Sequence, residues 1–258
     1  MDKELYHNMA HVEDRHWWFQ ARRRIVETMI RRLPLPVDAR ILDLGCGTGG
    51  NLEMLSRIGR VEGCEMDEEA INIARQRNVC SISQGYLPDH VPCPSRTYDL
   101  VVMTDVLEHV EDHEGGVARV ANLLKPGGFY VMTVPALQWL WTDRDTAHHH
   151  FRRYRKGPLR QLLQRHGLVV RTLSYYNTMF FPLVAPMRLW QRFRKKQYHD
   201  DLAVPGPFLN GLLRSVFQVE RHVLGRIPLP IGISLLAVAQ LPASAAQTSA
   251  PAKEAPSA

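Results

Sequence analysis

The amino-acid sequence predicts an α/β protein with a doubly wound, mostly parallel sheet and helices on both faces. From residue 40 onward, short apolar runs alternate with segments of helical periodicity, the pattern of strands joined by crossover helices. The first apolar run leads directly into a glycine-rich loop and a helix. A proline-rich stretch separates the last two runs, which predicts a helical insertion between the last two strands.

The elements follow one another in a regular order. A leading helix is predicted over about residues 1–33, where apolar residues recur among charges until Pro34 and Pro36 end the pattern. Apolar runs then predict strands at residues 41–44, 61–64, 100–104, 129–134, 169–174 and 233–240. Helices are predicted at residues 51–56, 68–77, 115–124 and 158–165, the last two ending at Gly127–Gly128 and Gly167.

Composition excludes several classes of protein. With 258 residues, 45% of them hydrophobic and 22% charged, the chain can bury one sizeable core or at most two small ones. The four cysteines stand apart, without a disulfide or zinc pattern, which favours a reducing cytoplasm. No secretory signal is recognised, and no apolar run approaches the roughly 20 residues that span a bilayer. The net charge of +6 leaves an anionic partner or a membrane surface open.

The glycine-rich loop is the most informative segment. Gly45, Gly47 and Gly50 satisfy the GxGxxG spacing of a dinucleotide site, and Glu65 lies at about the distance of a ribose-binding acid. That pattern alone permits a nicotinamide-dependent oxidoreductase. A carboxylate two residues before the first glycine, Asp43, suits a ligand that carries an ammonium group better than it suits a pyrophosphate. An ordinary strand-to-helix turn without a ligand is the plain alternative.

With Asp43 and Gly49, the loop reads Asp-x-Gly-x-Gly-x-Gly, which resembles the first motif of class I S-adenosylmethionine-dependent methyltransferases. The resemblance extends over roughly residues 40–175 and implies a seven-stranded Rossmann-like sheet with S-adenosyl-L-methionine as the cofactor. It implies that Asp43 binds the amino group of the methionine moiety. The backbone that lines the methionine moiety would be that of Gly45, Cys46, Gly47 and Gly49.

The same resemblance assigns the rest of the cofactor site. Glu65 would accept both ribose hydroxyls and Met66 would pack on the adenine, while Asp67 is predicted to cap the next helix. Tyr86 or the Leu87 backbone would stand in for an adenine-binding Asp that many relatives carry and this chain lacks. The plain alternatives to these ligand contacts are that Glu65 is a solvated acid at a strand end and that Tyr86 only packs against the protein.

The end of the fourth strand and its loop, residues 98–110, resemble those of small-molecule and quinone-type methyltransferases. Thr104 and Asp105 fall at the carboxyl end of that strand, where doubly wound sheets bind their ligands. His109 follows closely, and it either caps the cofactor pocket or faces the substrate. A structural role is the plain alternative for this single histidine.

Residues 143–154 resemble a stretch of bacterial methyltransferases that occur alongside glycan and cell-envelope enzymes. Within it, His150 is the candidate general base, because imidazole can take a hydroxyl proton at neutral pH. Arg152, Arg153 and Tyr154 would bind a phosphate or carboxylate of the substrate. Alternatively, one arginine pairs with Asp143 or Asp145 to hold the loop, and the tyrosine belongs to the core. No metal site is predicted, since consecutive histidines rarely converge on one ion.

Five segments organise the chain. Residues 1–36 form a helical lid in which Trp18 would contact the acceptor, with packing on the side of the domain as the alternative. The other segments are a cofactor-binding core (37–177), a basic, amphipathic helical insertion (178–230), the final core strand (231–242) and a tail (243–258). The tail consists almost entirely of Ala, Ser, Pro, Gln and Thr, a composition that predicts disorder.

The predicted function is methyl transfer to a small-molecule, glycan or lipid-linked acceptor, at oxygen more often than at nitrogen. The alternatives are a nicotinamide-dependent oxidoreductase and a non-catalytic Rossmann-like binding protein. Nucleic acid is disfavoured as a partner, because the fourth strand lacks the Asn/Asp-Pro-Pro-Tyr stretch of base methyltransferases. Apolar and basic residues over 179–196 predict peripheral contact with the inner face of the membrane, or else a pocket wall or dimer contact. The oligomeric state is left open.

Overall fold

The computed structural model describes residues 3–193 and 203–243. The helices are α1 (Lys3–Val12), α2 (Trp17–Ile30), α3 (Leu52–Ser56), α4 (Glu68–Gln76), α5 (His113–Leu123), α6 (Asp143–Ala147), α7 (Lys156–Arg165), α8 (Phe181–Phe193) and α9 (Pro207–Gln218). The strands are β1 (Arg40–Leu44), β2 (Arg60–Glu65), β3 (Ile82–Gln84), β4 (Tyr98–Thr104), β5 (Leu124–Pro135), β6 (Val169–Tyr176) and β7 (Ser234–Gln240).

These strands form one seven-stranded sheet with the order β3-β2-β1-β4-β5-β7-β6. The first five are parallel, and β7 lies antiparallel between β5 and β6. The predicted doubly wound, mostly parallel sheet is confirmed, with its last two strands separated by the helical insertion. One strand, β3, was not predicted from an apolar run, because only one of its three residues is buried.

The sheet has a topological switch point at β1. This strand pairs with β2 on one side and with β4 on the other, so that successive crossovers run in opposite directions from it. In doubly wound sheets, ligands bind in the crevice beyond the carboxyl ends of the strands at such a point. Asp43 near the end of β1 and Thr104 at the end of β4 therefore flank the expected ligand position.

Two hydrophobic layers cover the sheet. One face packs against α5 and α7, whose buried residues include Val117, Val120 and Leu162. The other face packs against α2, α3, α4 and α9. Burial of parallel strands on both faces explains why they are near-continuous apolar runs in the sequence.

The N-terminal segment forms two helices where one was predicted. The turn between α1 and α2 ends at His16, whose ring accepts a hydrogen bond from the backbone N–H of Trp18 (3.2 Å). The buried residues Ala21, Ile25 and Met29 recur at helical spacing and attach α2 to the sheet. The helix α2 thus packs on the side of the domain, and Arg22 in its second turn contacts Asp105, just beyond β4.

The insertion packs against this N-terminal segment. Asn210 of α9 accepts a hydrogen bond from the backbone N–H of Trp17 (2.8 Å), and Phe217 is fully buried among the residues under α2. The predicted basic residues 194–196 and residues 244–258 of the predicted tail lie outside the described residues. Within the described ranges, no helix has both the length and the apolar character needed to cross a membrane.

Candidate cofactor and acceptor site

The glycine loop turns sharply after β1. Gly45, Gly47 and Gly49 have φ values of +75°, +55° and +86°, a region that side chains with a Cβ rarely adopt. The backbone N–H groups of Gly45 and Cys46 donate to the Cys64 carbonyl (2.7 and 3.1 Å), which holds the loop against the end of β2. A tight turn of this kind brings backbone close to whatever binds in the crevice.

We expect Gly45→Ala to lower the free energy of unfolding by about 2 kcal/mol. Its positive φ is unfavourable for alanine, and a Cβ there would lie 2.6 Å from Val106 Cγ2. Urea denaturation followed by circular dichroism measures the change. Gly157→Ala in α7 is the matched control, since no atom lies within 4 Å of its added Cβ. An unchanged Gly45→Ala midpoint would contradict this account of the turn.

Asp43 lies at the head of the loop and is only 1% exposed. Its Oδ2 atom has no hydrogen-bond partner in the part of the chain that the structure describes. Burial raises the pKa of this carboxyl to about 7, against the opposing charge of Arg22. A buried carboxylate with one oxygen free is suited to a cationic ligand group, in agreement with its predicted role toward an ammonium.

The raised pKa of Asp43 predicts a pH-dependent stability. The pKa of this carboxyl is higher in the folded state than its ordinary value of 3.8. Its contribution to the free energy of unfolding is therefore lost as the pH rises from about 4 to about 7. We expect Asp43→Asn to match the wild type near pH 4 and to exceed its free energy of unfolding near pH 8. Thermal melts of both proteins across this range check the difference, and parallel curves would contradict the assignment.

Glu65 ties the glycine loop to the end of β2. Its Oε2 accepts from the backbone N–H of Gly47 (2.8 Å), and its Oε1 accepts from those of Met66 (2.9 Å) and Asp67 (3.1 Å). Asp67 caps α4 by accepting from the backbone N–H of Glu69 (2.9 Å), as predicted. A carboxylate has about four lone-pair positions, and three backbone donors use three of them, so Glu65 retains capacity for about one further donor.

Two apolar side chains stand exposed beside Glu65. Met66 follows the end of β2, and Tyr86 lies beyond β3, where its ring stacks on His90 at 5.6 Å. The backbone N–H of Gly85 donates to the Glu65 carbonyl (2.8 Å), which keeps these two strand ends adjacent. Leu87 is partly buried against the core. The region therefore offers apolar surface for a flat ring next to the predicted ribose site.

Asp105, just beyond β4, receives an arginine from the N-terminal segment. Arg22 of α2 forms an ion pair with Asp105, whose other oxygen accepts from the Thr133 hydroxyl (3.1 Å). The Arg22 guanidinium lies 4.7 Å from the centre of the Trp18 ring, and its Nε has no partner among the described residues. Sequence reasoning placed Arg22 in a lid over the acceptor and missed its contact with Asp105, because residues so distant in sequence meet only in the fold.

Thr104, at the end of β4, is hydrogen-bonded to the segment that follows the glycine loop. Its hydroxyl accepts from the Asn51 side-chain amide (2.9 Å), which joins the end of β4 to the segment that follows the glycine loop. Asn51 is buried, and the sequence analysis assigned it no functional role. A buried polar residue immediately after a glycine loop was the available signal.

A histidine cluster continues from Asp105 toward the acceptor side. His109 ends a short 3₁₀ turn, and its ring centre lies 4.6 Å from that of His150 in an edge-on arrangement. Burial, and then the neighbouring His150, lower the pKa of His109 to about 3, so this imidazole is neutral at physiological pH. The two predicted catalytic histidines are therefore brought together by the fold.

Glu108 lies in the same cluster. It is buried, and its Oε2 has no hydrogen-bond partner within residues 3–193 and 203–243. Burial raises the pKa of Glu108 well above its usual range. Glu108, His109 and His150 each offer one ligand atom, all within 4.8 Å of one another, and could together hold a metal ion. The sequence analysis considered only the consecutive histidines, and so it did not find this grouping.

The loop that carries His150 is fixed by two arginines. Arg152 donates to the carbonyls of Val110 (2.9 Å) and Glu111 (2.8 Å). Arg153 is buried, with its guanidinium 2.7 Å from an Asp145 oxygen. The ion pair between Arg153 and Asp145 agrees with the alternative interpretation, in which an arginine pairs with an aspartate to hold the loop.

Tyr154 also has a structural position. Its side chain is buried, and its hydroxyl donates to the Leu107 carbonyl (3.2 Å) and lies 3.1 Å from His113 Nδ1. A hydroxyl engaged on both sides has little capacity left for a substrate phosphate. The position of Tyr154 agrees with the alternative interpretation as a core residue, and anion binding by Arg152, Arg153 and Tyr154 stays a prediction.

Helix α8 lies next to the segment that precedes the His150 loop. Arg188 donates to the Leu140 carbonyl (3.1 Å), and the rings of Trp139 and Phe181 meet edge-on at 6.0 Å. Residues 138–140 directly precede the loop that carries His150. The outer face of α8 exposes Leu183, Met187 and Trp190.

A family model and several named relatives match part of this chain. A family model described as a methyltransferase domain matches residues 17–173. A Mycolicibacterium smegmatis protein named as an S-adenosylmethionine-dependent methyltransferase is 27% identical over 171 residues, 64% of this chain and 65% of the relative. A ubiquinone biosynthesis O-methyltransferase of Proteus mirabilis is 36% identical over 95 residues, 34% of this chain and 39% of the relative. The matches thus span less than two thirds of either relative.

A solved structure has the same fold. A chain from the complex between the Haloferax volcanii Trm112 methyltransferase activator and a methyltransferase has a TM-score of 0.60 at 21% identity, over 93% of this chain and 94% of that chain. The family match covers more than half of the present chain and includes the glycine loop and the ends of β1, β2 and β4. This chain therefore belongs to the methyltransferase-domain family of class I, S-adenosylmethionine-dependent enzymes.

Proposed function

We propose that this chain transfers a methyl group from S-adenosylmethionine to a hydroxyl oxygen of a small-molecule, glycan or lipid-linked acceptor. The observation that carries the cofactor assignment is the buried Asp43 carboxylate, with one free oxygen at the head of the glycine loop. A carboxylate at this point attracts an ammonium and repels a pyrophosphate. It therefore favours S-adenosylmethionine over the nicotinamide alternative.

The side chains around the crevice match the other parts of this cofactor. Arg22, held beside Asp105 with Nε free, would pair with the methionine carboxylate. Glu65 would accept one ribose hydroxyl with its remaining lone pair, and Met66 and Tyr86 would cover the adenine. Bound there, S-adenosylmethionine supplies an activated methyl group for in-line displacement.

The acceptor side is suited to removing a proton. An alcohol that gains a methyl group must lose its proton, and a base positioned on that proton speeds the step. His150 is partly exposed, and its Nδ1 lies 3.0 Å from the Asp145 carboxylate, which leaves Nε2 for the acceptor. The neutral His109 beside it adds no positive charge that would oppose proton uptake. The O-methyltransferase name of the Proteus mirabilis relative is in line with an oxygen acceptor.

The lipid-linked part of the proposal depends on α8. Phe181 and Arg188 join α8 to residues 139 and 140, which precede the His150 loop. An acyl or polyprenyl chain would lie on the exposed apolar side chains of α8 while its head enters the site. Apolar residues next to basic ones also favour peripheral contact with an anionic membrane. We propose that α8 makes this contact.

Binding of S-adenosylhomocysteine and NADH by calorimetry tests the cofactor proposal. We expect heat from S-adenosylhomocysteine with a micromolar Kd, and none from NADH. Binding of NADH instead would support the oxidoreductase alternative, and binding of neither would support a non-catalytic protein.

Vesicle co-sedimentation tests the membrane proposal. We expect the wild type to pellet with phosphatidylglycerol vesicles and the Leu183→Asp/Met187→Asp variant to remain mostly in the supernatant, because charges would enter the apolar interface. Val37→Asp is the matched control, since Val37 is 99% exposed but lies between α2 and β1. Absence of wild-type pelleting on anionic vesicles would overturn this part of the proposal.

A further inference from the structure

We infer that Asp145 is a positioning residue for His150, which it holds as the tautomer with the proton on Nδ1 and the lone pair on Nε2. This inference depends on the proposed function, in which His150 accepts the hydroxyl proton. The sequence analysis considered Asp145 only as a partner for an arginine that fixes the loop. In the structure the same carboxylate contacts both the arginine and the proposed base.

Asp145 is 1% exposed and is surrounded by donors. Its Oδ1 lies 3.0 Å from His150 Nδ1 and 2.7 Å from Arg153 Nη2, and its Oδ2 accepts from the Thr142 backbone N–H (2.9 Å). Burial by itself would raise the pKa of Asp145, but the His150 hydrogen bond and the Arg153 charge hold it well below its usual range. The Arg153 guanidinium and the Thr142 backbone N–H can only donate, so the oxygens that they contact are acceptors, which is the arrangement that suits an ionised carboxylate.

An ionised carboxylate accepts hydrogen bonds and cannot donate one. The 3.0 Å contact between His150 Nδ1 and Asp145 Oδ1 is therefore a hydrogen bond only if Nδ1 carries the proton. In a neutral imidazole the other nitrogen, Nε2, then has the lone pair. The contact consequently selects the tautomer that can act as a base through Nε2.

The backbone makes this contact rigid. Asp145 lies in the first turn of α6, where it completes a capping box with Thr142. The His150 backbone N–H donates to the Asp145 carbonyl (2.9 Å), which closes the short loop between the two residues. Both partners are thus fixed relative to each other by main-chain as well as side-chain hydrogen bonds.

The Asp145→Asn variant distinguishes a residue that sets the tautomer of His150 from one that only stabilises the loop. The amide oxygen of asparagine can still accept from Thr142 and Arg153, so the cap can persist. Its amide nitrogen takes the place of Oδ1, so Arg153 Nη2 must be bound by the amide oxygen alone, from whose position it lies 3.0 Å in the wild type. Facing His150 Nδ1, the amide nitrogen is a donor and requires a lone pair there, which moves the imidazole proton to Nε2. A residue needed only for loop stability would leave the tautomer unchanged.

The test is nitrogen-15 NMR of histidine-labelled protein with S-adenosylhomocysteine added, with the His150 signals assigned by His150→Gln. We expect the Nδ1-protonated tautomer in the wild type and the Nε2-protonated tautomer in Asp145→Asn. Arg153→Gln, which removes the cation but keeps the carboxylate, should retain the wild-type tautomer. In methyl-transfer assays Asp145→Asn should lower kcat by about 100-fold with little change in KM, because a correctly protonated base contributes at least that much.

A wild-type His150 protonated on Nε2, or signals that Asp145→Asn does not move, would overturn the inference. If Asp145→Asn does not fold, the wild-type tautomer and its retention in Arg153→Gln decide the question alone. Failure of the wild type to bind S-adenosylhomocysteine would instead overturn the proposed function, because the tautomer is read without any methyl transfer.

Discussion

Asp43→Ala is expected to abolish S-adenosylhomocysteine binding, with an increase in Kd of at least about 100-fold. The variant loses a buried carboxylate whose Oδ2 accepts no hydrogen bond from residues 3–193 and 203–243 and is thus available to a ligand at the head of the glycine loop. A charge-assisted hydrogen bond to an ammonium in a buried site contributes about 1.5 to 3 kcal/mol, and the remaining loss comes from an ammonium left without a partner. Isothermal calorimetry measures the Kd directly.

The matched control for Asp43→Ala is Asp99→Asn. Asp99 lies near the amino end of β4, where it accepts from the Arg40 backbone N–H (2.8 Å) and pairs with Lys125. Its loss should change stability slightly and leave cofactor affinity unchanged, because ligands bind at the opposite edge of the sheet. An Asp43→Ala protein that binds with the wild-type Kd would show that the cofactor site lies elsewhere.

His150→Ala is expected to lower turnover by about 100-fold or more while leaving the Kd for S-adenosylhomocysteine within a factor of two or three. General-base catalysis contributes about 10² to 10⁴ in rate, and His150 is the proposed base. The assay measures transfer of a labelled methyl group from S-adenosylmethionine into the organic-extractable and glycan fractions of a cell extract.

Two controls accompany His150→Ala. His149→Asn changes the exposed neighbouring histidine and should retain turnover, because His149 is turned to solvent with a positive φ that asparagine tolerates.

Assays of the wild type with and without EDTA test whether Glu108, His109 and His150 hold a metal ion. Equal rates agree with His150 as a base, whereas loss of turnover restored by a divalent cation would assign it to a metal site. Full activity of His150→Ala would rule out both roles.

Much of the fold could be predicted because parallel strands covered on both faces appear as apolar runs. The runs over 41–44, 100–104 and 129–134 correspond to β1, β4 and β5 for this reason. The predicted ends of helices were less accurate where a capping side chain outside the periodic apolar pattern determines the first helical residue. Asp112 caps α5 by accepting from the Gly115 backbone N–H (2.9 Å), which starts the helix before the predicted residue 115.

The cofactor half of the candidate site was accessible from the sequence because its parts are consecutive. Asp43 and the glycines form one continuous strand and turn, and Glu65 ends the next strand, so local geometry alone brings these groups to the same edge of the sheet. The predicted roles of Asp43 and Glu65 are in line with the free oxygen of the former and the position of the latter beside the loop.

The sequence by itself thus determined the sheet class and the position of the glycine loop, because both follow from short-range pattern, and its resemblance to known methyltransferases indicated the family. Only the tertiary structure decided which distant side chains meet. Arg22 contacts Asp105 because α2 packs across the sheet, and His150 lies beside His109 because the loop after β5 folds back over the end of β4. Contacts of this kind depend on how elements pack against one another, which the spacing of residues along the chain does not specify.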